Sequence, residues 1–144
     1  MVDLVLDNRT KSKVPSRRFF LGIVEEGLSV LGIKERAELG IHIIGEKEIK
    51  GLNKKFRGKD KVTNVLSFPL DDKARHGILS LGDIFICLSV AKAEAEEENI
   101  SLKDRLAWLT IHGLLHLCGL DHERTKKEAQ EMLRLESKIL KRVI

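Results

Sequence analysis

The sequence predicts an α+β fold with about four strands and about five helices. Short segments rich in β-branched residues indicate strands, and longer segments with apolar residues at helical spacing indicate helices. The 144 residues are a usual size for one domain, and no internal repeat or low-complexity linker divides them. We therefore expect residues 1–144 to form a single domain.

The N-terminal part of the chain alternates strands with helices. Residues 2–6 alternate apolar and polar side chains, which is typical of a short strand. Apolar side chains recur at helical spacing over residues 16–31, and Gly32 offers an end for that helix. β-Branched side chains, with glycines at positions 40 and 45, indicate a second strand at residues 39–44. Residues 46–56 then form a short amphipathic helical pattern.

Two further strands follow a charged loop. Residues 62–68 predict a strand that Pro69 ends or leaves at a sheet edge. Residues 71–77 are polar and predict a loop or hairpin. Residues 78–88 alternate and predict the last strand, in which Gly82 marks a bulge.

The C-terminal part of the chain is helical. Residues 89–99 form a helix with a glutamate-rich side. Ser101 and Asp104 make an S-x-x-D capping box ahead of a long apolar run that ends near Cys118. Residues 125–143 predict a final, charged amphipathic helix.

The composition is that of a globular protein with a small excess of positive charge. Lys and Arg together number 26 and Asp and Glu 22, which gives a formal charge of +4. Such an excess permits a polyanionic partner such as RNA but specifies no chemistry. No stretch approaches the roughly 20 apolar residues of a membrane helix, the first residues lack the order of a secretory signal, and two cysteines suit a reducing compartment. We therefore expect a cytoplasmic protein without a membrane partner.

Three of the five histidines lie in one short segment, HGLLHLCGLDH, at residues 112–122. His112 and His116 are four residues apart in a helical pattern, so both imidazoles face the same side of the helix, one turn apart. Gly119 permits the left-handed conformation that ends a helix, after which the chain can bring His122 back toward the pair. Three neutral nitrogen ligands with room for a further oxygen are the ligand set of a catalytic zinc ion. We therefore predict one Zn²⁺ ion on these histidines.

The histidine spacing equals that of the metzincin protease signature, H-E-x-x-H-x-x-G-x-x-H, with one departure. Gly113 stands where that signature has the glutamate that serves as general base in peptide hydrolysis. The same segment that predicts a metal site therefore disfavours a peptidase.

Residues close to these histidines leave more than one interpretation open. Asp121 either orients a ligand, transfers a proton or stabilises a turn. Cys118 should face away from the metal as a structural thiol, and Trp108, on an apolar helix, should belong to the core. The remaining histidines, His42 and His76, have no ligand-like neighbours in the sequence and are not assigned to a site.

Three blocks of the sequence match the motifs of one family, in the same order. HGLLHLCGLDH is similar to H-G-x-L-H-L-x-G-[YH]-D-H. Leu52-Asn53 followed by FRGKDKVTNVLSFP is similar to L-N-x-x-[FY]-R-x-K-D-x-x-T-[DN]-V-L-S-F-P, and LGDI at residues 81–84 matches a third motif. The chain thus resembles the YbeY-type metal-dependent endoribonucleases, bacterial ribosomal RNA maturation factors, over about half of its length. It departs at Leu120, where the family more often has an aromatic residue or His.

This resemblance implies a zincin-like α+β domain with a small mixed sheet and a metal held by His112, His116 and His122. It implies single-strand-directed, metal-dependent cleavage of RNA in ribosomal RNA maturation, including the 3′ end of the small-subunit RNA, and a role in ribosome quality control. The partners it implies are ribosomal RNA and the ribosome. The functional arginine of the family falls on Arg57.

The chemistry of the residues agrees with a phosphate-bearing substrate. Arg57 has a planar, permanently charged fork that suits a phosphate group, and Lys59 follows it in the charged loop. Asn64 and Ser67 are candidates to hydrogen-bond the substrate, or they complete the end of a strand. With no Tyr and five Phe, base stacking is not apparent, so recognition would depend on phosphate contacts and RNA shape. We expect Arg57 and Asp121 to act in catalysis, and Arg57, Lys59, Asn64 and Ser67 to contact the substrate.

Two other functions stay open on the sequence alone. A metal-dependent hydrolase of another substrate, such as a peptide or a small ester, would lose little activity on mutation of Arg57. A ribosome-associated assembly factor with a mainly structural zinc would unfold when His116 is replaced by alanine, because metal binding and folding would be one equilibrium. The small size and the lack of a coiled-coil seam favour a monomer.

Overall fold

The computed structural model describes residues 1–70 and 77–144 together with the backbone of residues 74–75. Over this part of the chain it has five helices and a mixed sheet, which confirms the α+β prediction. His76 lies outside the described residues, as does most of the loop or hairpin expected at residues 71–77. The strands are β1 (Val2–Asn8), β2 (Arg36–Ile44), β3 (Val65–Pro69), β4 (Ala74–Arg75) and β5 (Ile78–Cys87), and the helices are α1 (Arg17–Val30), α2 (Glu46–Arg57), α3 (Leu88–Glu98), α4 (Leu102–Leu117) and α5 (Lys126–Val143).

The sheet has the order β1-β2-β5-β3, with the two-residue β4 paired to the start of β5. β1, β2 and β5 are parallel, and β3 runs antiparallel to β5 at one edge. Pro69 ends β3 at this edge, as predicted, because proline has no N–H to donate to a further strand. The edge at β3 is where the histidine-bearing helix meets the sheet.

Gly82 allows β5 to pass β3 at close range. The pairing of β2 with β5 shifts between Glu38 and Leu39, whose partners are Ser80 and Gly82, so the predicted bulge is confirmed. Gly82 has φ +123°, and a Cβ there would lie 2.2 Å from the carbonyl oxygen of Phe68. Only glycine fits this position without moving the backbone of β3.

Two layers of helices cover one face of the sheet. α1 and α4 pack directly on it and form the main core with side chains such as Phe20, Ile84 and Leu109. α5 packs on α1 and α4 and closes a second core around Ile111 and Met132. Among the described residues, no helix is both long enough and apolar enough to cross a membrane.

The opposite face of the sheet is only partly covered. α2 packs over one side of it, where Ile49 contacts a small cluster with Leu66 and Cys87. The remainder, which we call the open face, is a shallow depression lined by residues of β1, β2 and β5 that include Asp3, Glu38, His42 and Asp83.

His42 joins the three strands of the open face. Its Nδ1 lies 3.0 Å from Asp7 Oδ2 and its Nε2 lies 2.8 Å from Asp83 Oδ1, while its ring stacks on Phe85 at 4.4 Å between centroids. Asp7 accepts hydrogen bonds from His42 and from Arg9, and these two contacts lower the pKa of Asp7 below its ordinary value. The open face is therefore a polar, carboxylate-bearing surface.

Several boundaries differ from the sequence prediction: β1 ends at Asn8 rather than at residue 6, and β2 begins at Arg36 rather than at residue 39. Arg57 is the last residue of α2 rather than the first of a loop, because Gly58 takes the left-handed conformation, with φ +69°, that ends the helix.

β3 begins at Val65 rather than at residue 62. The buried Asn53 holds the chain before it, because its Nδ2 donates to the carbonyl oxygen of Lys61 at 2.9 Å. The first backbone contact with β5 is at Asn64, whose carbonyl oxygen accepts from the Cys87 N–H at 2.9 Å.

Candidate metal centre

The helix that carries the first two histidines is capped and deeply packed. Ser101 Oγ accepts a hydrogen bond from the backbone N–H of Asp104 at 3.0 Å, which confirms the predicted N-cap and stabilises the helix by about 1 kcal/mol. Gly113 lies against the sheet so closely that a Cβ there would come 2.7 Å from Ile84 Cγ2. This contact fixes the rotation of α4, and His112 and His116 then face the cleft beside β3.

A tight turn after α4 returns the third histidine to the first two. Gly119 has φ +96°, as the sequence predicted for the helix end, and its N–H donates to the His116 carbonyl oxygen at 3.0 Å. Two residues on, Asp121 Oδ1 accepts from the backbone N–H of Glu123 at 2.8 Å and closes the turn. His122 lies between these two anchors.

The three histidines converge as the spacing predicted. One ring nitrogen from each of His112, His116 and His122 lies within 4.8 Å of the others, and the ring centroids are 4.9, 5.2 and 5.2 Å apart. Within the part of the chain that the structure describes, this is the one group of three or more His, Cys, Asp or Glu side chains that can hold a metal ion. The donor set is entirely nitrogen, which suits zinc and several other divalent ions.

The environment keeps at least one of these imidazoles in the form that binds a metal. Burial, followed by the neighbouring His112 and His122, lowers the pKa of His116 below its ordinary value. At neutral pH this ring is therefore neutral and has a lone pair to give. His122 is the most exposed of the three, with 43% of its side chain accessible against 15% for His112, so the group opens on the side of His122.

The histidines line a cleft of about 430 Å³, which we call the histidine cleft. One wall is α4 with the turn after it, and the other is the end of α2 with the chain entering β3. Its lining residues are Arg57, Thr63, Asn64, Val65, Leu66, Ser67, Trp108, His112, His116, Asp121, His122 and Glu123. The cleft thus brings together the three histidines and four of the five other residues singled out from the sequence, Arg57, Asp121, Asn64 and Ser67.

Arg57 reaches the cleft from the last turn of α2. Its Nη2 lies 3.9 Å from Glu123 Oε1, and the same carboxylate oxygen lies 3.8 Å from His122 Nε2. Lys59 is exposed and is not among the lining residues; its backbone N–H donates to the carbonyl oxygen of Asn53 at 3.2 Å. Arg57 therefore lines the cleft with the histidines and Lys59 does not, so substrate contact by Lys59 stays a prediction.

Asn64 and Ser67 line the cleft but already have partners in the protein. Asn64 Nδ2 donates to the Glu94 carboxylate at 3.2 and 3.3 Å. Ser67 Oγ donates to the carbonyl oxygen of Gly113 at 3.1 Å and so ties β3 to α4. Both contacts shape the wall of the cleft, and substrate contact by either residue stays a prediction.

Asp121 is held in the turn by its backbone contact. The hydrogen bond from the Glu123 N–H is the largest cause that lowers its pKa, and Arg124 adds to it. A carboxylate with a lowered pKa is a weak proton acceptor at neutral pH. Of the roles left open by the sequence, these contacts favour orientation of His122 through the turn.

Replacing Asp121 tests this role directly. Asp121→Asn keeps an oxygen that accepts from the Glu123 N–H, so we expect RNA cleavage to fall less than about tenfold, whereas loss of a proton-transfer group would cost 10²–10⁴-fold. Asp121→Ala removes the acceptor and should weaken both metal binding and cleavage. The measurement is a cleavage rate beside a metal titration for both variants, and a 100-fold loss in Asp121→Asn would instead assign proton transfer to this carboxylate.

Three residues of the site escaped the sequence analysis. Trp108 packs against the core, as expected, but it is only half-buried, lines the cleft and stacks on His112 with 5.0 Å between ring centroids. Glu123 follows His122 directly and projects between that histidine and Arg57. Glu136 of α5 is buried, with its Oε1 2.6 Å from His112 Nδ1. Its signal was a carboxylate on the apolar side of α5, between Leu135 and Ile139.

Fold and site together define an α+β protein with three histidines at the edge of its sheet that are positioned to hold a metal ion. The model of the family described as Endoribonuclease YbeY matches residues 5–144. The chain belongs to this family, which confirms the resemblance drawn from the three sequence motifs.

Individual relatives agree over most of their length. The chain is 38% identical over 136 residues to Endoribonuclease YbeY of Sulfurihydrogenibium sp. (strain YO3AOP1), covering 94% of this chain and 89% of that protein. It is 41% identical over 129 residues to Endoribonuclease YbeY of Persephonella marina, covering 89% and 84%. The solution structure of TM1509 from Thermotoga maritima matches with a TM-score of 0.64 and 29% identity over 99% of this chain and 89% of that one. The chain is thus similar in sequence to all three relatives, and similar in fold to the solved one.

Proposed function

We propose that the protein is a metal-dependent endoribonuclease that cuts single-stranded segments of ribosomal RNA during maturation, including the 3′ end of the small-subunit RNA, and takes part in ribosome quality control. Its relatives carry the name Endoribonuclease YbeY, and its own cleft joins a metal-ligand group to an arginine. In this proposal the acting unit is a monomer of one domain in the cytoplasm, its partners are ribosomal RNA and the ribosome, and the cofactor is a single Zn²⁺ ion.

The observation that carries this proposal is the arrangement of Arg57 and the three histidines in one cleft. A metal ion bound to His112, His116 and His122 would supply Lewis-acid polarisation of a phosphodiester oxygen and a nucleophile at neutral pH. The Arg57 fork can donate two parallel hydrogen bonds to a phosphate and offset its charge. A phosphodiester that contacts both the metal ion and Arg57 would therefore lie across the cleft.

Glu123 lies between Arg57 and His122 when no substrate is bound. Its carboxylate occupies the space between Arg57 and His122, at 3.9 and 3.8 Å, and 60% of its side chain is accessible. A phosphate that binds Arg57 has to displace or share this contact. An exposed ion pair is worth little, typically under 1 kcal/mol, so the displacement costs little.

Mutation of Arg57 is the experiment that tests the substrate class. We expect Arg57→Ala to reduce cleavage of a structured ribosomal RNA fragment by about 100-fold or more, because a donor aimed at transition-state charge is lost. Arg57→Lys keeps the charge but loses the fork, so it should recover only part of the activity. Arg134→Ala is the matched control, since Arg134 is an exposed arginine of α5 that pairs with Glu131 away from the cleft.

The outcomes separate the proposed nuclease from a hydrolase of another substrate. Full RNA cleavage by Arg57→Ala would contradict the proposal, and so would hydrolysis of a peptide or ester that exceeds RNA cleavage by the wild-type protein. The chemical group at the 3′ end of the upstream RNA product identifies the attacking nucleophile. A 2′,3′-cyclic phosphate would identify the RNA 2′-hydroxyl as the nucleophile. Cleavage in which no cyclic phosphate forms at any stage would require attack by water.

A further inference from the structure

We infer that Glu136 is a positioning residue of the metal centre, one that fixes the ring of His112 and the nitrogen that this ring presents to a metal ion. The inference rests on the proposed metal centre and adds a residue from α5, far from the histidine segment in the chain. It assigns to Glu136 a role in metal affinity that is separable from the packing of the fold.

The geometry is that of a charge-assisted hydrogen bond across two helices. Glu136 Oε1 lies 2.6 Å from His112 Nδ1, and only 4% of Glu136 is accessible. The carboxylate stands on the buried side of α5, among the apolar side chains of Met132, Leu135 and Ile139. Within the described residues, His112 is the one polar partner recorded for this carboxylate.

The direction of this hydrogen bond determines which nitrogen faces the metal. An ionised carboxylate can only accept, so Nδ1 of His112 holds the hydrogen. Nε2 of the same ring then carries the lone pair. A carboxylate behind a metal-binding histidine also raises the basicity of the ring and restricts its rotation.

A second contact holds the plane of the same ring. Trp108 stacks on His112 with an interplanar angle of 19°, and the guanidinium of Arg105 lies over the Trp108 ring, 4.5 Å from its centroid. Stacking fixes the plane, and the Glu136 hydrogen bond fixes the rotation within that plane. His112 is therefore oriented before any ligand arrives.

A purely structural role for Glu136 is disfavoured by its surroundings. A buried carboxylate with one partner is a costly way to join two helices, because the charge loses its hydration and an apolar side chain of similar size would pack at least as well. The position contributes most where the charge acts on a bound cation. We therefore expect substitutions here to alter metal affinity more than the stability of the metal-free protein.

The test is a metal titration of the full chain with two substitutions and a control. Zn²⁺ affinity is measured by competition with a chromophoric chelator, and Co²⁺ binding by its visible absorption spectrum. We expect Glu136→Gln, which keeps the shape but loses the charge, to bind Zn²⁺ about 10–100-fold more weakly than wild type. Glu136→Met, which also loses the acceptor, should bind at least as weakly, and Glu131→Gln, at an exposed site of the same helix, should bind as wild type does.

Thermal unfolding of the metal-free proteins provides the second readout. Without metal, we expect the unfolding temperature of Glu136→Gln to lie within about 3 °C of that of wild type. When Zn²⁺ is added, the unfolding temperature of this variant should rise by less than that of wild type. Equal Zn²⁺ affinity of wild type and both Glu136 variants would overturn the inference while leaving the metal centre intact. A wild-type protein that binds neither metal would overturn the proposed metal centre, and the inference with it.

Discussion

Replacing His116 by alanine is expected to abolish metal binding at the histidine cleft and to reduce RNA cleavage by at least about 1,000-fold. A bound metal contributes several kcal/mol of transition-state stabilisation, and each 1.4 kcal/mol is about a factor of ten in rate. The three rings lie within 5.2 Å of one another, so removal of His116 leaves two of the three ligands. Cleavage by wild-type protein in excess chelator should fall to the same level.

The state of the His116→Ala protein distinguishes a catalytic from a structural metal. His116 is only half-buried and α4 is held by a capped N-terminus and a packed core, so we expect the variant to remain folded, as checked by circular dichroism and thermal unfolding. A variant that unfolds together with metal loss would favour the assembly factor with a structural zinc. His42→Gln is the control for loss of a histidine outside the cleft, and undiminished cleavage by His116→Ala would place the activity elsewhere.

Introducing the protease glutamate at Gly113 is expected to destabilise the fold strongly rather than to create a peptidase. Even a Cβ at this position would lie 2.7 Å from Ile84 Cγ2 and 3.2 Å from two further atoms of that side chain. Overpacking of this kind costs about 1–3 kcal/mol, and an unpaired carboxylate buried against the sheet costs several more. We expect Gly113→Glu to lose about 4 kcal/mol or more of unfolding free energy, a large part of a total that is typically 5–15 kcal/mol.

Denaturant unfolding of a short series of variants checks this explanation. Gly113→Ala should destabilise, and Gly51→Ala should stabilise by about 0.5–1 kcal/mol, because Gly51 lies inside α2 with nothing within 4 Å of its Cβ position. Ile84→Ala removes the contacting atoms, so Gly113→Ala should cost less in that background than in wild type. A stable Gly113→Glu protein with peptidase activity would contradict the steric reason for glycine at this position.

Local signals in the sequence were sufficient for the helices and for the metal ligands. The three histidines lie within 11 residues, so helical spacing and one glycine determine their convergence without any long-range contact. The Ser101 cap and the left-handed Gly119 were likewise predicted from short patterns and are confirmed. What the residue chemistry alone could not predict was the approach of Arg57, which depends on how α2 crosses the sheet.

The remaining parts of the site come from distant segments of the chain. Glu136 meets His112 across 24 positions, and Ser67 meets Gly113 across 46. Trp108 packs against the core as predicted, but its second position in the wall of the cleft was missed, because an apolar helical pattern does not show which of its residues the rest of the protein covers. The start of β3 was set too early, since a buried asparagine captures the backbone of Lys61 and no periodicity reports that. Such features follow from tertiary packing, which one sequence does not display.

The open face has a consequence for how the molecule meets a polyanion. Successive residues of β5 point to opposite sides of the sheet, so Ile84 points toward α4 while the Asp83 carboxylate lies on the far side with Asp3 and Glu38. Arg36 and Arg9 pair with Asp3 and Asp7 beside this face, so two arginines offset only part of the charge of Asp3, Asp7, Glu38 and Asp83. Within the roughly 8 Å over which charges act at physiological salt, we therefore expect the open face to offer a polyanion such as RNA no excess of positive charge to bind.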